Sequence, residues 1–567
     1  NEVQVHLLIK TAVFAAISGI SLSTVAAQQP LQYEDVFQLE FVSEPQISSN
    51  GDQVVFVRNR FDQELDKRIG SLWLSDTKTG QLRPLVSEQA DISSPLWSAD
   101  GKKLAFVSSA SGKPQIHIRW MDNGQSGQVS HLPASPSDLS WSPDGKWLAF
   151  SMFTPKKSTN PVTLPGKPEK NDWAKAPVYI DTMQYRADGR GYLAAGYKHL
   201  YLMAAEGGTP IQLTIGYFYH GVEISWQNDS KAFYFSANRQ SDKRAQAQNS
   251  EVYKLTIADK SLAQVTDRFG PDHAPALSAD GKWLAYLGYD DKKLAHQADQ
   301  LYVKNLQSGE VKALTADLDR AIDSFSWDSD GDALYIQYDD QAQGKIALQP
   351  LNGKRKVLVE QVGGGSYSRP YTGGSFTVSD DGDIAFTQMS TQAPAELALW
   401  QDGKKKQLTE LNKDLQLSRD IGEVEEFWVT SSVDQRKLQS WLILPPNFDK
   451  TKKYPTLLYC QGGPQGALSQ FYSFRWNFQV MASQGYVVVA PNRRGMPGHG
   501  VKWNEDISKD WGGQAIDDYL SAIDAIAKES YVDKSRLGAV GASYGGYSVF
   551  QLAGIHNKRF KSFIAHD

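Results

Sequence analysis

A serine lies at the centre of the pentapeptide GASYG at residues 541–545. The apolar run RLGAVGA (536–542) before it predicts a strand, and the residues after it have the pattern of a helix. Glycines two residues before and after a serine, between a strand and a helix, are typical of a nucleophile elbow, where the chain reverses too tightly for a Cβ and exposes the hydroxyl. We therefore predict that Ser543 is a catalytic nucleophile and that Gly541 and Gly545 permit the turn.

Acyl transfer to a serine also requires donors for the oxyanion. The backbone N–H of Tyr544, at the start of the predicted helix, faces the position where that charge would form. A second loop, QGGP (461–464), follows the predicted strand TLLYC (456–460), where enzymes with such an elbow carry the other donor. Gln461 and Gly462 are therefore candidate oxyanion residues. Cys460 has no adjacent base and is interpreted as a core residue.

The elements around this serine predict an α/β domain over residues 421–567. Strands alternate with helical stretches there, which favours a mainly parallel sheet. The amphipathic segment 515–527 is the clearest helix, and the strands are expected at 425–432, 440–445, 456–460, 486–491 and 536–542.

A repeated phrase occupies the preceding part of the chain. Clear copies are WSADGKKLAF (97–106), WSPDGKWLAF (141–150), LSADGKWLAY (277–286) and WDSDGDALYI (327–336), and weaker copies begin at residues 47, 226 and 378. Each copy predicts a β-hairpin, with the glycine where a two-residue turn needs positive φ. Seven copies, mostly 44 to 51 residues apart, predict a seven-bladed β-propeller over residues 47–420, with residues 28–46 as an N-terminal segment. Recurrent tryptophans are expected to fill the gaps between blades.

The array contains an insertion near residues 153–199, since two successive turns are 85 residues apart. Long insertions in regular arrays tend to be functional or disordered, and an irrelevant surface loop is an equal alternative.

A seven-bladed propeller followed by GASYGGY, with CQGGPQG and APNRRG before that motif, resembles the prolyl oligopeptidase family of serine peptidases. Within it the chain is most similar to the bacterial dipeptidyl-peptidase V and acylaminoacyl-peptidase branch. The resemblance implies hydrolysis of short peptides in a cavity between a propeller and an α/β-hydrolase domain, through an acyl-enzyme on Ser543. Where the family's type member has a tyrosine as second oxyanion donor, this chain has Gln461, so its side chain or the adjacent backbone would donate. Arg493 and Arg494 would border the substrate site, with a surface ion pair as the alternative.

The acid and the base of a catalytic triad are expected after the nucleophile in α/β hydrolases. The 24 residues after Ser543 provide one further strand, so we expect the chain to be truncated, with its catalytic Asp and His among about 100 residues that would follow. His566 and Asp567 stand in the wrong order, and His499 and His556 are expected to be surface or packed histidines.

The sequence leaves the specificity open between a dipeptidyl peptidase, an acylaminoacyl-peptidase and an esterase. The alternative from another functional class is a propeller-based peptide-binding protein without catalytic activity. Dipeptide release needs an anion for the substrate's amino group; Glu169, Asp172 and Asp181 in the insertion are candidates, with a solvated loop charge as the more common role.

Composition limits the partners. The 59 Lys and Arg against 64 Asp and Glu give a net charge of −5, which does not favour nucleic acid. The sequence has no P-loop and no metal-ligand spacing, so no cofactor and no metal is expected, and one cysteine forms no intrachain disulfide. Residues 1–27 predict a signal peptide cleaved after Ala27, with a buried N-terminal helix as the alternative. We expect an exported protein, periplasmic or secreted, with no integral membrane segment after cleavage, short peptides as substrates, and a homodimer as a further expectation.

Overall fold

Seven antiparallel β-sheet units make up the larger part of the computed structural model, which describes residues 29–566 except 87–89, 157–165, 167–173, 175–176, 221–222, 365–372 and 470. A short strand, β1 (Gln29–Pro30), and a 3-10 helix (Tyr33–Gln38) precede them. The strands, in chain order, are β2 (Glu40–Ile47), β3 (Gln53–Asp62), β4 (Lys67–Asp76), β5 (Leu82–Val86); β6 (Ile92–Trp97), β7 (Lys103–Ser108), β8 (Gln115–Trp120), β9 (Ser126–Gln128); β10 (Pro136–Trp141), β11 (Trp147–Pro155), β12 (Arg186–Ala187), β13 (Gly191–Tyr192), β14 (Gly196–Ala204), β15 (Ile211–Gln212); β16 (Ser225–Trp226), β17 (Ala232–Ala237), β18 (Glu251–Thr256), β19 (Leu262–Gln264); β20 (Asp272–Leu277), β21 (Trp283–Gly288), β22 (Gln300–Asn305), β23 (Val311–Ala313); β24 (Ile322–Trp327), β25 (Ala333–Asp340), β26 (Gln343–Pro350), β27 (Lys356–Val362); and β28 (Phe376–Val378), β29 (Ile384–Ser390), β30 (Ala393–Gln401), β31 (Lys404–Gln407).

The units form a closed propeller, as the repeats predicted. The last unit meets the first, because the Asp380 N–H donates to the Ser49 carbonyl (2.8 Å) and the Ile47 N–H donates to Thr377 Oγ1 (3.0 Å). The sixth and seventh units also share one strand pairing, Val362 with Gln388. The seven-bladed propeller is thereby confirmed.

The repeated turn has the predicted backbone conformation but a longer loop. The turn glycines adopt positive φ, for example 66° at Gly101, and Ser230 does so at 58° in the degenerate copy. In the second blade the Ser98 N–H donates to the Lys103 carbonyl (2.9 Å), which leaves four residues in the loop. The expectation of a two-residue turn was wrong because the Ser98 hydroxyl donates to Asp100 (2.6 Å) and accepts the Lys103 N–H (2.9 Å), which stabilises the wider turn.

The repeated tryptophans link neighbouring blades. The indole N–H of Trp97 donates to the Gln46 carbonyl (3.0 Å), that of Trp141 to Leu96 (3.1 Å) and that of Trp327 to Ala276 (2.9 Å). Each acceptor lies on the first strand of the preceding blade. The rings therefore fill the space between blades and satisfy a backbone carbonyl there.

The insertion emerges between β11 and β14 of the third blade, whose pairing extends as far as Pro155 with Gly196. It contains the small hairpin β12–β13. Much of its first half, including Glu169 and Asp172, lies outside the described residues, as does the predicted signal peptide.

A six-stranded sheet forms the second domain. Its order is β33-β34-β36-β35-β37-β38, with the first two pairings antiparallel and the last three parallel. The elements here are α1 (Lys413–Ser418), β32 (Arg419–Asp420), β33 (Val424–Thr430), β34 (Lys437–Ile443), β35 (Tyr454–Cys460), α2 (Phe478–Ser483), β36 (Val487–Pro491), α3 (Val501–Glu505), α4 (Gln514–Ile526), β37 (Val532–Ala542), α5 (Tyr544–Ile555) and β38 (Ser562–His566). The mainly parallel α/β sheet is confirmed. Within the described residues, no helix combines the length and apolar character needed to cross a bilayer.

The carboxyl end of this sheet faces the propeller. The segment after β36 meets two propeller loops, where the Gln341 N–H donates to the Gly498 carbonyl (2.9 Å) and the Val501 N–H donates to Asp319 (2.9 Å). On another side, the Phe61 and Phe474 rings contact each other with centroids 4.9 Å apart. The two domains thus enclose the end of the sheet at which open α/β sheets bind their ligands.

Candidate active site

Ser543 lies at a sharp turn between β37 and α5. Its backbone has φ 57° and ψ −123°, a conformation that non-glycine residues rarely adopt outside functional sites, and its side chain is exposed. Its N–H donates to the His566 carbonyl on the neighbouring strand (2.8 Å), and its carbonyl accepts the Tyr547 N–H (2.9 Å). The strained turn is therefore held from both sides with the hydroxyl directed outward from the sheet.

The two elbow glycines are required by close backbone contacts. A Cβ on Gly541 would lie 2.6 Å from the Cys460 carbonyl oxygen, and a Cβ on Gly545 would lie 2.0 Å from the same atom. Such distances are well inside van der Waals contact, and the obstructing atom belongs to the backbone of a central strand. The helix can therefore approach β35 only with glycine at these positions.

We expect Gly545→Ala to prevent correct packing of the elbow, because its Cβ would force α5 away from β35. The measurement is reactivity of Ser543 toward a fluorophosphonate probe, together with thermal unfolding, and we expect loss of labelling and a lower Tm. Gly554→Ala, in the same helix with no atom within 4 Å of the added Cβ, is the matched control and should label normally. Normal labelling of both variants would contradict this reading of the turn.

The QGGP loop lies directly against the elbow. A Cβ on Gly462 would be 3.6 Å from the Ser543 Cβ and 2.6 Å from the Ala542 carbonyl oxygen. On the other side of Ser543, Tyr544 is the first residue of α5, where backbone N–H groups have no intrahelical acceptor. The structure thus brings Gly462, which is 82 residues from Tyr544 in the chain, next to the same serine.

Gln461 is held by its backbone. Its N–H donates to the Tyr519 hydroxyl (2.9 Å), and its carbonyl accepts from Arg493 (3.4 Å). Its side chain is fully buried, and both amide atoms lack a hydrogen-bond partner within the described part of the chain. Because the backbone N–H is occupied, the side-chain amide is the group that Gln461 has free for a ligand.

Arg493 fixes the loop beside the serine. Its guanidinium donates to the Pro464 carbonyl (2.9 Å) and to the Tyr519 hydroxyl (3.2 Å), and it lies over the Tyr544 ring at 4.6 Å. The side chain is fully buried. Arg493 therefore connects the QGGP loop to the residue that follows the serine.

Arg494 forms a buried ion-pair network. It donates through Nε to Asp518 (3.0 Å) and through Nη1 to Asp434 (2.8 Å), and it holds the pKa of Asp434 well below its usual range. The surface alternative considered for Arg493 and Arg494 was wrong, because both side chains are fully buried.

The other sequence candidates lie in different surroundings. Cys460 is fully buried, and burial raises the pKa of its thiol, consistent with a core role. His499 packs between Trp428 and Trp503, and His556 Nδ1 accepts the Phe560 N–H (3.2 Å).

Sequence reasoning missed Tyr519 and Asp518. It also missed two propeller carboxylates near the interface, Asp323 and Asp339. Tyr519 and Asp518 occupy the buried face of an amphipathic helix, and this pattern alone does not separate a site-supporting side chain from a core residue. Asp181, the described member of the three acids considered in the insertion, is exposed.

Comparisons with known proteins agree with this architecture. Residues 472–567 match the prolyl oligopeptidase family, and residues 175–296 match the dipeptidyl peptidase IV N-terminal region. A dipeptidyl-peptidase 5 of Porphyromonas gingivalis is 31% identical over 97% of this chain and 81% of its own length. An uncharacterised peptidase, YuxL, of Bacillus subtilis is 27% identical over 94% of this chain and 81% of its length.

The fold also has a counterpart among solved structures. The acylaminoacyl peptidase of Pyrococcus horikoshii superposes with a TM-score of 0.76 at 20% identity, over 94% of this chain and 78% of that one. The elbow and the propeller indicate one family. A relative above 30% identity, matched over most of its length, indicates the same family. This chain belongs to the prolyl oligopeptidase family of serine peptidases.

Proposed function

We propose that this protein hydrolyses short peptides and releases N-terminal dipeptides through an acyl-enzyme on Ser543. The observation that carries the proposal is the strained, exposed Ser543 (φ 57°) beside the QGGP loop. The relative from Porphyromonas gingivalis, a dipeptidyl-peptidase 5 by name, supports dipeptide release.

The proposed reaction proceeds in two steps. Ser543 Oγ attacks the scissile carbonyl carbon and gives its proton to a general base, while the carbonyl oxygen gains negative charge. The N–H of Tyr544 and a donor from Gln461 or Gly462 stabilise that charge. The base then protonates the leaving amine, and water hydrolyses the ester to free Ser543.

The base is expected to be a histidine that follows Ser543 in the chain. His556 is poorly placed for this role, because it lies at the far end of α5 and its Nδ1 is already engaged with Phe560.

A carboxylate cluster at the domain interface supports recognition of a free amino terminus. The loop residue Gly498 lies against Asp339, since a Cβ on it would be 3.5 Å from the Asp339 Cβ. Partial loss of hydration and the negative charges of Asp339 and Asp299 hold the pKa of Asp323 well above its usual value. A substrate ammonium group would relieve this repulsion, so we propose Asp323 and Asp339 as groups that attract it.

We expect Asp323→Asn to raise KM about tenfold for a dipeptidyl amide with a free amino group and to leave KM for the N-acetylated analogue unchanged. The reason is that asparagine keeps the shape of the side chain but cannot take up the negative charge that a bound ammonium group would favour on Asp323. Steady-state kinetics with the two substrates measures this. Equal changes for both would remove Asp323 from amino-group recognition.

The substrate panel also separates the alternatives. The solved relatives that are acylaminoacyl peptidases favour N-acyl substrates as the second candidate. Dominant cleavage of N-acyl amino-acid amides would favour that activity, and cleavage of short esters alone would favour an esterase. Peptide binding without turnover of any of the three would favour the inactive binding protein.

We further propose that the protein is exported and dimeric. Export predicts that the mature protein begins at Gln28, which N-terminal sequencing of protein from the periplasm or medium would detect; a retained leader would contradict it. Exposed side chains on the insertion, including Tyr179, Met183 and Tyr192, support a dimer contact. Light scattering that gives a monomer mass would contradict the dimer.

A further inference from the structure

A propeller loop reaches across the interface to the α/β domain. This loop, residues 289–299, joins β21 to β22. Lys292 Nζ forms an ion pair with Glu505 (2.8 Å), and the Ala295 N–H donates to the Ser508 hydroxyl (3.1 Å). The loop is therefore anchored to the α/β domain by one ion pair and by one hydrogen bond from its own main chain.

The loop is also braced internally. The Asp291 carboxylate accepts from the Lys293 N–H (2.8 Å) and from the Gln297 amide (2.9 Å), and Gln297 Oε1 accepts the Lys292 N–H (2.7 Å). These bonds fix the residues on each side of His296. Its imidazole is therefore positioned by a rigid segment rather than by a freely moving one.

The anchor point lies next to the elbow. Ile507, the neighbour of Ser508, packs against Tyr544. The Tyr544 hydroxyl donates to the Trp511 carbonyl (2.7 Å), three residues beyond Ser508. The segment that receives the propeller loop thus supports the residue that follows the nucleophile.

His296 has an unusual electrostatic and hydrogen-bonding environment. Burial, together with the positive charge of Arg493, whose guanidinium lies over Tyr544, lowers the pKa of His296 to about 4. His296 is mostly buried, and its Nε2 is fully buried without a hydrogen-bond partner within the described residues. A buried polar atom without a partner is costly, which points to a group that a ligand satisfies.

We propose that His296 is a substrate-binding residue, supplied by the propeller, whose neutral imidazole hydrogen bonds to the main chain of the bound peptide. A neutral imidazole can donate or accept, and a peptide bond offers both partners. The inference rests on the proposed peptidase function, and it adds a recognition group from the other domain.

The test compares His296→Ala, His296→Gln and Lys292→Ala in the full-length protein with a dipeptidyl coumarin amide and with p-nitrophenyl acetate. We expect His296→Ala to raise KM for the peptide about tenfold with a smaller change in kcat, and to leave hydrolysis of the ester, which has no peptide main chain, unchanged. His296→Gln, which keeps a polar terminus, should recover part of the affinity. The pH profile of kcat/KM should keep its shape, because a group with a pKa of about 4 is neutral above pH 6.

Unchanged peptide KM in His296→Ala or equal losses on both substrates would overturn the inference. The same loss in Lys292→Ala would overturn it too, because it would assign the effect to the loop's position. Loss of an ionisation from the pH profile would also overturn it. Fluorophosphonate labelling of Ser543 separates a failure of this inference from a failure of the proposed function. Wild-type protein that neither labels nor cleaves peptides contradicts the peptidase function. Normal labelling and normal peptide cleavage in His296→Ala contradict only the role of His296.

Discussion

Replacement of Ser543 by alanine is expected to reduce peptide hydrolysis by at least about 10³-fold, because the acyl-enzyme can no longer form. The structure supports so large an effect, since Ser543 is the residue held at positive φ between β37 and α5 with the QGGP loop beside it. Most of the loss should be in kcat rather than in KM, because the hydroxyl acts in bond formation and contributes little to substrate binding. Steady-state kinetics with a dipeptidyl amide, supported by circular dichroism to verify folding, measures it.

Ser535→Ala is the matched control for this variant. Ser535 lies on the same strand, β37, but its hydroxyl donates to Asp533 (2.6 Å) at the exposed end, far along the strand from the elbow. The control should retain wild-type activity. A folded Ser543→Ala variant that still cleaves peptides would show that another group is the nucleophile.

Replacement of Arg494 by methionine is expected to lower the free energy of unfolding by about 3–5 kcal/mol near neutral pH. Methionine fills a similar volume but leaves the carboxylate of Asp518, which is fully buried, without its cation. An unpaired buried charge costs far more than an exposed one, because no water replaces the lost partner. Chemical denaturation followed by tryptophan fluorescence measures the change.

Two further variants sharpen this experiment. The double variant Arg494→Met/Asp518→Asn removes both charges and should recover part of the lost stability. Lys502→Ala breaks the ion pair of an exposed lysine with Asp506 and should cost less than about 1 kcal/mol. If Arg494→Met were as stable as Lys502→Ala, the network would contribute little to the fold.

The same network connects stability to the site. Asp518 lies on α4 together with Tyr519, whose hydroxyl accepts from both the Gln461 N–H and Arg493. Because Arg494 fixes α4 to the loop after β36, its loss should also disturb the QGGP loop. The proposed oxyanion donors would therefore depend on a buried charge pair that lies behind the QGGP loop.

The sequence alone predicted the propeller, the α/β sheet and the serine, because each depends on local patterns. Positive φ at Gly101 follows from steric rules that act within a single turn. The elbow is similarly local, since a strand, a glycine-flanked serine and a helix occupy consecutive residues. Apolar runs between helical stretches likewise placed the parallel strands close to their observed bounds.

Only the tertiary structure decided how distant residues are used around Ser543. It buried Arg494, which the sequence left between a site border and a surface pair, and it occupied the Gln461 N–H with Tyr519, 58 residues away. It also brought His296 from a propeller loop to the segment that supports Tyr544. These outcomes depend on burial and on pairings between elements far apart in the chain, and local periodicity carries no information about which distant side chain fills a given space.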